Sequence, residues 1–363
     1  MLYLVIPSAR VHFLVYTDGA PPSMVALDEI QDITYILTAN IKSTGGNMFD
    51  VVAIGELLID FAPVCTDEAG YPTVAAKPGG APSNFLAALA KYGAKTAMIG
   101  KVGADAFGRM LVQTLKDIGV ETSGIIEDPS VFTTLAFVTL DETGDRSFSF
   151  ARKPGADTCL RYDEIDLSLI DNTRVFHFGT LSLTNEPSKE ATQKAVEYAK
   201  NAGKLITFDP NLRTPLWDDL EEAKAQMLWG FEQADIVKIS DEEVEFLWGC
   251  NEKEGAEELL DVFGIKLAMI TSGSKGALLQ NRNGFAFSSC PPVKPIDTTG
   301  GGDIFGGSAL SRILKPGKAP DELEQEDLAD IVSFAITAAS LSTEKQGGIP
   351  SIPDEAEIYA MML

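Results

Sequence analysis

Asp297-Thr298-Thr299-Gly300-Gly301-Gly302-Asp303 decides how the rest of this chain is read. A Pro-rich turn (Pro291, Pro292, Pro295) leads into it. The small, apolar run Ile304-Phe305-Gly306-Gly307-Ser308-Ala309-Leu310 follows as a predicted helix. The first N–H groups of a helix have no partner inside it and carry the positive end of its dipole. Three glycines there leave those groups bare, so an oxyanion can come close. Asp303 is then either an ordinary acid in a first helical turn or a base set beside an anion cradle. A cradle and a carboxylate side by side are what phosphoryl transfer to a hydroxyl requires.

Six short runs with little alternation, at 51–54, 96–99, 175–178, 205–208, 236–239 and 267–270, read as strands buried on both faces. Helical stretches lie between them. Residues 85–92 follow Pro82 and stop at Gly93, 106–118 stop at Gly119, and 189–201 stop before Gly203. Pro near a helix start and Gly beyond its end is the expected asymmetry. Alternating strand and helix predicts an α/β fold, an open, mostly parallel sheet with helices on both faces. Ligands of such sheets sit at the carboxyl ends of the strands. Here those ends carry Gly55-Glu56, Gly100, Gly179-Thr180, Asp209-Pro210-Asn211, Ser240 and Thr271-Ser272-Gly273. Two stretches break the pattern, at about 59–77 and 132–152. The first is extended. The second alternates Leu135, Phe137 and Thr139 against Thr134, Ala136 and Val138 around Asp141-Glu142-Thr143-Gly144. They predict antiparallel strands forming a small β-sheet lid over the strand ends.

Other groups allow a structural and a functional reading. Gly79-Gly80-Ala81-Pro82-Ser83-Asn84 is a turn into a helix. Its two glycines equally bring backbone N–H groups to a polar ligand, with Asn84 as donor and acceptor. Asp60, just past the first strand, suits paired hydroxyls. Arg213, in Asp209-Pro210-Asn211-Leu212-Arg213, pairs with a surface acid or stabilises transferred charge. Ser240 with Glu243 three residues on is a capping box, which suffices by itself. Thr271-Ser272-Gly273-Ser274-Lys275-Gly276 suits nucleotide phosphates and equally a hairpin turn. His177, between Phe176 and Phe178, reads as a core or edge histidine and not a ligand. The chain has no Gly-Lys-Ser/Thr, no GxGxxG after a strand and no GxSxG, so a P-loop, a dinucleotide site and a nucleophile elbow are unsupported.

The 363 residues suffice for one large α/β domain or two ordinary ones, and the 45% apolar content for a full core. Lys plus Arg number 29 against 53 Asp plus Glu, a net charge of −24. Such a field argues against partnership with nucleic acid or an anionic membrane. A phosphate substrate must then be held locally, by helix N-termini, a few cations and Mg²⁺. Cys65, Cys159, Cys250 and Cys290 lie far apart, as reduced thiols of a cytoplasmic protein would. With His12 and His177 they make no zinc spacing. No apolar run reaches the ~18 residues of a membrane span. Leu2 to Tyr16 is apolar but broken by Arg10 and His12, a poor signal peptide. The pattern changes at Met48. Residues 1–47 are expected to be an N-terminal extension, non-native or poorly ordered, and 48–363 the folded domain.

From about residue 48 to 353 the chain resembles the ribokinase-like (PfkB) carbohydrate kinases. Residues 297–303 are similar to the second signature of that family, DTxGAGD, with Gly301 in place of the common Ala. Residues 55–60, 79–84, 209–213, 240–243, 271–276 and 347–351 follow in the family's order. Gly-Glu-Leu-Leu-Ile-Asp-Phe at 55–61, His-Phe-Gly-Thr-Leu-Ser-Leu at 177–183 and Asp-Pro-Asn-Leu-Arg at 209–213 look most like the bacterial fructokinases.

The resemblance implies a ribokinase-like fold and ATP-dependent phosphorylation of a sugar hydroxyl, fructose to fructose 6-phosphate. It implies that Asp303 takes the hydroxyl proton. Gly300, Gly301 and Gly302 would hold the γ-phosphate, with Arg213 near its path. Asp60, Gly79, Gly80, Asn84 and Arg152 would meet the sugar. Ser240 and Glu243 stand where the family has NxxE, with Ser for Asn a departure, and Glu243 would support Mg²⁺ indirectly. Thr271, Gly273, Ser274 and Gly276 match the ATP loop. Asp297, Thr299, Ser342, Lys345, Gly347 and Ser351 match a loop that binds K⁺ in some members. A homodimer paired lid to lid is the expected assembly. The alternatives are a kinase of the same fold for ribose, 2-keto-3-deoxygluconate or a nucleoside, a non-catalytic sugar sensor, and a periplasmic sugar-binding protein, which the poor signal peptide disfavours.

Overall fold

Val51 and Ala53 face one side of a strand while Val52 and Ile54 face the other, and all four are fully buried. Alternation of side chains puts each pair into a different core. Val51 and Ala53 join Phe85, Leu86, Phe305 and Phe334; Val52 and Ile54 join Phe176, Phe178, Phe208 and Phe231. A strand sandwiched this way needs helices on both faces.

The computed structural model describes residues 49–140, 146–315 and 317–362, together with three short N-terminal strands. The chain divides into two units, Met1–Met48 and Phe49–Leu363. In the first, β1 (Leu4–Val5), β2 (Val11–Val15) and β3 (Ser23–Leu27) pair antiparallel. The rest of that unit, on which the expectation of poor order mainly falls, lies outside the described residues.

The second unit runs β4 (Phe49–Ile54), β5 (Leu58–Thr66), β6 (Pro72–Gly79), α1 (Ala81–Lys91), β7 (Thr96–Gly103), α2 (Ala106–Asp117), β8 (Glu121–Asp128), β9 (Leu135–Leu140), β10 (Arg146–Ala151), α3 (Leu167–Asp171) and β11 (Thr173–Gly179). It continues through α4 (Ser188–Asn201), β12 (Leu205–Asp209), α5 (Leu220–Gln233), β13 (Ile236–Ser240), α6 (Asp241–Trp248), α7 (Glu252–Asp261), β14 (Leu267–Thr271), β15 (Ala277–Asn281), β16 (Gly284–Ser288), α8 (Gly301–Ile313), α9 (Gln325–Ser342) and α10 (Glu355–Met362).

Nine strands form the main sheet in the order β16-β15-β14-β13-β12-β11-β4-β7-β8. The six pairings from β14 to β8 are parallel, and the β14–β15–β16 hairpins are antiparallel. The chain leaves β4 toward β7 and β8, then returns on the other side to β11. The crevice between β4 and β11 is thus the topological switch point, where open sheets hold ligands. The expected α/β fold is what is found, with three further strands. Residues in β8 alternate exposed with buried, as an edge strand does, so no apolar run announced it. The β15–β16 hairpin follows β14 without an intervening α-helix, across a short 3-10 turn at Gly273–Lys275.

The second sheet, β10-β9-β5-β6, is the expected small one, except that its central pair, β5 and β9, runs parallel and not antiparallel. The turn at 141–144 lies outside the described residues. Helix α1 starts at Ala81, ahead of the expected 85, because Pro82 sits in its first turn. Among the described residues, no helix is long and apolar enough to cross a membrane.

Candidate active site

Gly300 caps α8 with φ of 77°, a left-handed conformation that a glycine adopts without strain. Its position is also crowded: a Cβ there would lie 3.0 Å from Gly348 Cα and 3.1 Å from Asn84 Nδ2. The first turn of α8 therefore begins tight against Asn84, with Asp303 on that turn. Asp303 is 8% exposed. Asn84 Nδ2 donates to its Oδ2 at 2.9 Å, and Asn211 Nδ2 approaches its Oδ1 at 3.5 Å. Asn211 is the one non-glycine with positive φ (45°) among the described residues, at the end of β12. Such outliers cluster at functional sites. The other amide atom of Asn84, Oδ1, is buried and has no hydrogen-bond partner among the described residues.

These groups open on a cavity of about 850 Å³. Asp60, Gly80, Asn84 and Arg213 line one part of it; Gly300, Gly301, Gly302 and Asp303 another; Ser240, Glu243, Thr271, Gly273 and Ser274 a third. Of the strand-end groups expected from sequence, Glu56, Asn211, Ser240 and Thr271-Ser272-Gly273 line this cavity, whereas Gly100, Gly179 and Thr180 do not. The loop at 271–276 is the hairpin connection from β14 to β15, and residues 271–275 of it line the cavity. Gly79 and Gly276, also expected at the site, do not line the cavity.

The capping box at the start of α6 is present. Ser240 Oγ accepts from Glu243 N, and Ser240 N donates to Glu243 Oε2 at 2.8 Å. Glu243 does more than cap: its Oε1 accepts from Leu212 N at 2.6 Å, tying α6 to the segment that carries Arg213. Both oxygens are thereby occupied by the protein itself.

Arg152 is placed differently from the expectation of a substrate contact. Its Nε donates to Asp157 Oδ2 at 2.7 Å, Nη1 to Thr184 Oγ1 at 2.7 Å and Nη2 to the Leu181 carbonyl at 2.8 Å. Asp157 also accepts from Thr134. Arg152 and Asp157 are both buried, so this is an internal ion pair that ties the end of β10 to the segment after β11. It does not line the cavity.

A second cavity, of about 80 Å³, is lined by Asp297, Thr299, Gly347 and Asp60 among others. Asp297 accepts from Thr299 N and from Gly347 N, both at 2.9 Å. Ser342 and Ser351 direct their hydroxyls to the carbonyls of Ala339 and Gly348, and Lys345 lies 3.4 Å from Glu357. So three of the six residues matched to a cation loop meet at one place, while these three side chains face other partners. Among the described residues, no group of three or more His, Cys, Asp or Glu side chains could by itself hold a metal.

Sequence reasoning named Glu56 and Asn211 only as strand-end residues, without a role, and passed over Lys238; all three line the main cavity. Glu56 accepts from Ala81 N at 2.8 Å and so anchors the start of α1. Lys238 pairs with Asp209 at 3.1 Å. A lysine in the middle of an apolar strand was the available signal.

The electrostatics follow from crowding acids out of water. Burial pushes the Glu56 and Asp60 carboxyls up to about 7, opposed by backbone hydrogen bonds at Glu56 and by Arg213 at Asp60. Burial likewise raises Asp303, opposed by Lys238, by the Asn84 hydrogen bond and by Arg213. It raises Asp209 too, against the pull of Lys238. For Lys238 burial works against the ammonium, but Asp209, Glu243 and Asp303 outweigh it and hold its pKa above the usual value. Burial thus makes Glu56, Asp60, Asp209 and Asp303 hold their protons more tightly, and the carboxylates around Lys238 do the same for its ammonium. His177 is the core residue expected, stacked 3.9 Å from Phe85 and bonded to Thr207 Oγ1 at 2.9 Å.

A carboxylate in the first turn of a helix, a glycine-rich helix start and a cavity of about 850 Å³ together suit group transfer, and comparison with known proteins points the same way. Fructokinase-1 of Zea mays is 41% identical over 317 residues, 86% of this chain and 97% of the relative. A fructokinase from Vibrio cholerae O395, solved with fructose, ADP and calcium ion bound, superposes with a TM-score of 0.76 at 35% identity, covering 87% of this chain and 99% of that one. A fructokinase from Xylella fastidiosa with bound ATP gives 0.77 at 26% identity, covering 86% and 98%. The family pfkB carbohydrate kinase matches residues 48–355, Asp303 and its glycines included, and this chain belongs to it.

Proposed function

We propose that this protein is an ATP-dependent fructokinase that converts fructose and ATP to fructose 6-phosphate and ADP. One observation carries the reading: Asp303, buried and held by Asn84, opens beside the Gly300–Gly302 backbone onto a cavity that reaches from Asp60 to the 271–276 loop. The relatives named as fructokinases support the choice of sugar.

The sugar lies against Asp60, Gly80 and Asn84. The orphaned Oδ1 of Asn84 accepts from one of its hydroxyls, and Asp60 from others. Asp303 accepts the proton of the attacking hydroxyl as its oxygen bonds to the γ-phosphorus. The bond from phosphorus to the bridging oxygen breaks, and that electron pair leaves with ADP. The N–H groups of the cradle and the Arg213 guanidinium face the charge on the transferred group. The phosphates of ATP run along Thr271, Gly273 and Ser274.

A raised carboxyl pKa suits the base, because transfer is most efficient near the working pH. Mg²⁺ fits this donor set as a cation carried in by the nucleotide phosphates. Glu243, whose oxygens are engaged, would support it from behind; when bound, Mg²⁺ neutralises phosphate charge. Asp297 and Thr299, at the small cavity, would hold K⁺, which when bound would supply positive charge there. The kinase occupies 48–363, with 1–47 as an extension, and works in the cytoplasm as a lid-to-lid homodimer.

The test is ADP release by the purified protein with Mg²⁺ and K⁺ against fructose, ribose, glucose, 2-keto-3-deoxygluconate and adenosine. Fructose driving turnover above the others upholds the reading. Another acceptor winning keeps the chemistry and changes the substrate. No turnover, with sugar binding retained, makes the protein a sugar sensor.

A further inference from the structure

Lys238 stands where a both-face-buried strand least favours a charge. It occupies the middle of β13 at 8% exposure, on the same side as Ile236, in the layer where α1 and α8 pack. Its Nζ lies 3.1 Å from Asp209 Oδ2 and 3.3 Å from Oδ1. It also lies so near the first turn of α8 that a Cβ on Gly302 would come within 2.9 Å of it. The absence of a side chain at 302 thus makes room for this ammonium.

We propose that Lys238 is the positioning residue of the base: its buried ammonium, wedged between Asp209 and the first turn of α8, keeps the Asp303 carboxylate in the charged form that accepts a proton. This rests on the kinase reading above.

Burial drives Asp303 toward the neutral acid, which cannot serve as a base. Three groups resist: Lys238 on β13 first, then the Asn84 amide on α1, then Arg213 beyond β12. Asn211 adds a long contact. Asp60 on β5, Asp209 on β12 and Glu243 on α6 bring negative charge to the same region, where Asp303 in turn adds to the field at Asp60 and Asp209. His177 on β11 is neutral, its pKa pushed down to about 3 by burial. Lys238 is therefore the strongest opponent of that burial, and little solvent screens it. If it only neutralised Asp209, removing both partners would leave the base unaffected.

The experiment compares pH profiles of kcat/KM for the full chain with fructose and ATP-Mg²⁺ in the wild type, Lys238→Arg and the double variant Lys238→Gln/Asp209→Asn. The double variant removes the pair together, because Lys238→Gln alone strands a buried carboxylate and so weakens the fold. Thermal unfolding and fructose binding check that each variant is intact. Lys238→Arg should keep the acidic limb of the wild type. In the double variant the limb should move to higher pH, with activity at about pH 6, relative to its own plateau, falling a further ~10-fold. A folded double variant with the wild-type limb overturns the proposal. Failure of the kinase reading shows separately, as a wild type that turns over no sugar.

Discussion

Asp303→Asn is the sharpest single perturbation, because the site tells in advance what it preserves. The side chain keeps its volume, and its remaining oxygen can still accept from Asn84 Nδ2, the 2.9 Å bond that sets the carboxylate in place. What is lost is the ability to take a proton. A general base contributes about 10²–10⁴-fold, or roughly 3–5 kcal/mol of barrier, so kcat should fall by that factor. The KM for the sugar should hardly change, since Asp60 and the Asn84 carbonyl are untouched. The fold should not suffer. The carboxyl pKa is raised in the folded state, so this group favours folding below its unfolded pKa, and that contribution is lost as pH rises through the folded value. At neutral pH an amide removes a buried charge, and Tm should not drop. Coupled assay of ADP release, isothermal titration with fructose and a thermal melt read the three quantities. A variant keeping more than about one hundredth of the wild-type kcat refutes the assignment of the base.

Arg152→Ala should cost about 3–5 kcal/mol in urea unfolding, because it strands buried Asp157; a variant of unchanged stability but raised KM for sugar would restore the direct contact. His177 takes a proton near 6.5 when unfolded and only near about 3 when folded, so stability present above 6.5 is lost as pH falls toward 3. By pH 5 that loss reaches about 2 kcal/mol, and His177→Leu should flatten the decline between pH 7 and 5. On α8, Gly307→Ala puts a Cβ 2.5 Å from the Phe85 carbonyl and 2.8 Å from Ala88 Cβ, and should destabilise by about 1–3 kcal/mol. Gly306→Ala meets nothing closer than the Phe85 ring at 3.5 Å and should be neutral or gain up to ~1 kcal/mol of helix propensity, and denaturant midpoints separate the two.

What the sequence made legible was set by local physics. Apolar runs revealed the central strands because both their faces are buried, and β8 escaped because its residues alternate in exposure at the sheet edge. The glycines and Asp303 were readable because a helix start has few uses for that combination. Glu56 and Lys238 were not. Glu56 acts on Ala81, and Lys238 on Asp209 and Gly302, through pairings made only when distant segments meet. Arg152 shares that reason only in part, through Thr184 and the Leu181 carbonyl beyond β11. Position after two lid strands suggested a ligand contact, whereas its partner Asp157 comes from the next turn of chain.

The close approach of α1 and α8 at Gly307 has a consequence for how such an enzyme can diverge. Asp303 sits one turn before Gly307, and Asn84 immediately precedes Phe85, on helices that cannot separate without losing that close approach. Acceptor alignment and proton removal are thus inherited together from main-chain geometry. The small sheet contributes side chains to the cavity but no part of that contact. Its residues are free to change and to retune which hydroxyl compound is admitted, while the reaction performed on it stays the same.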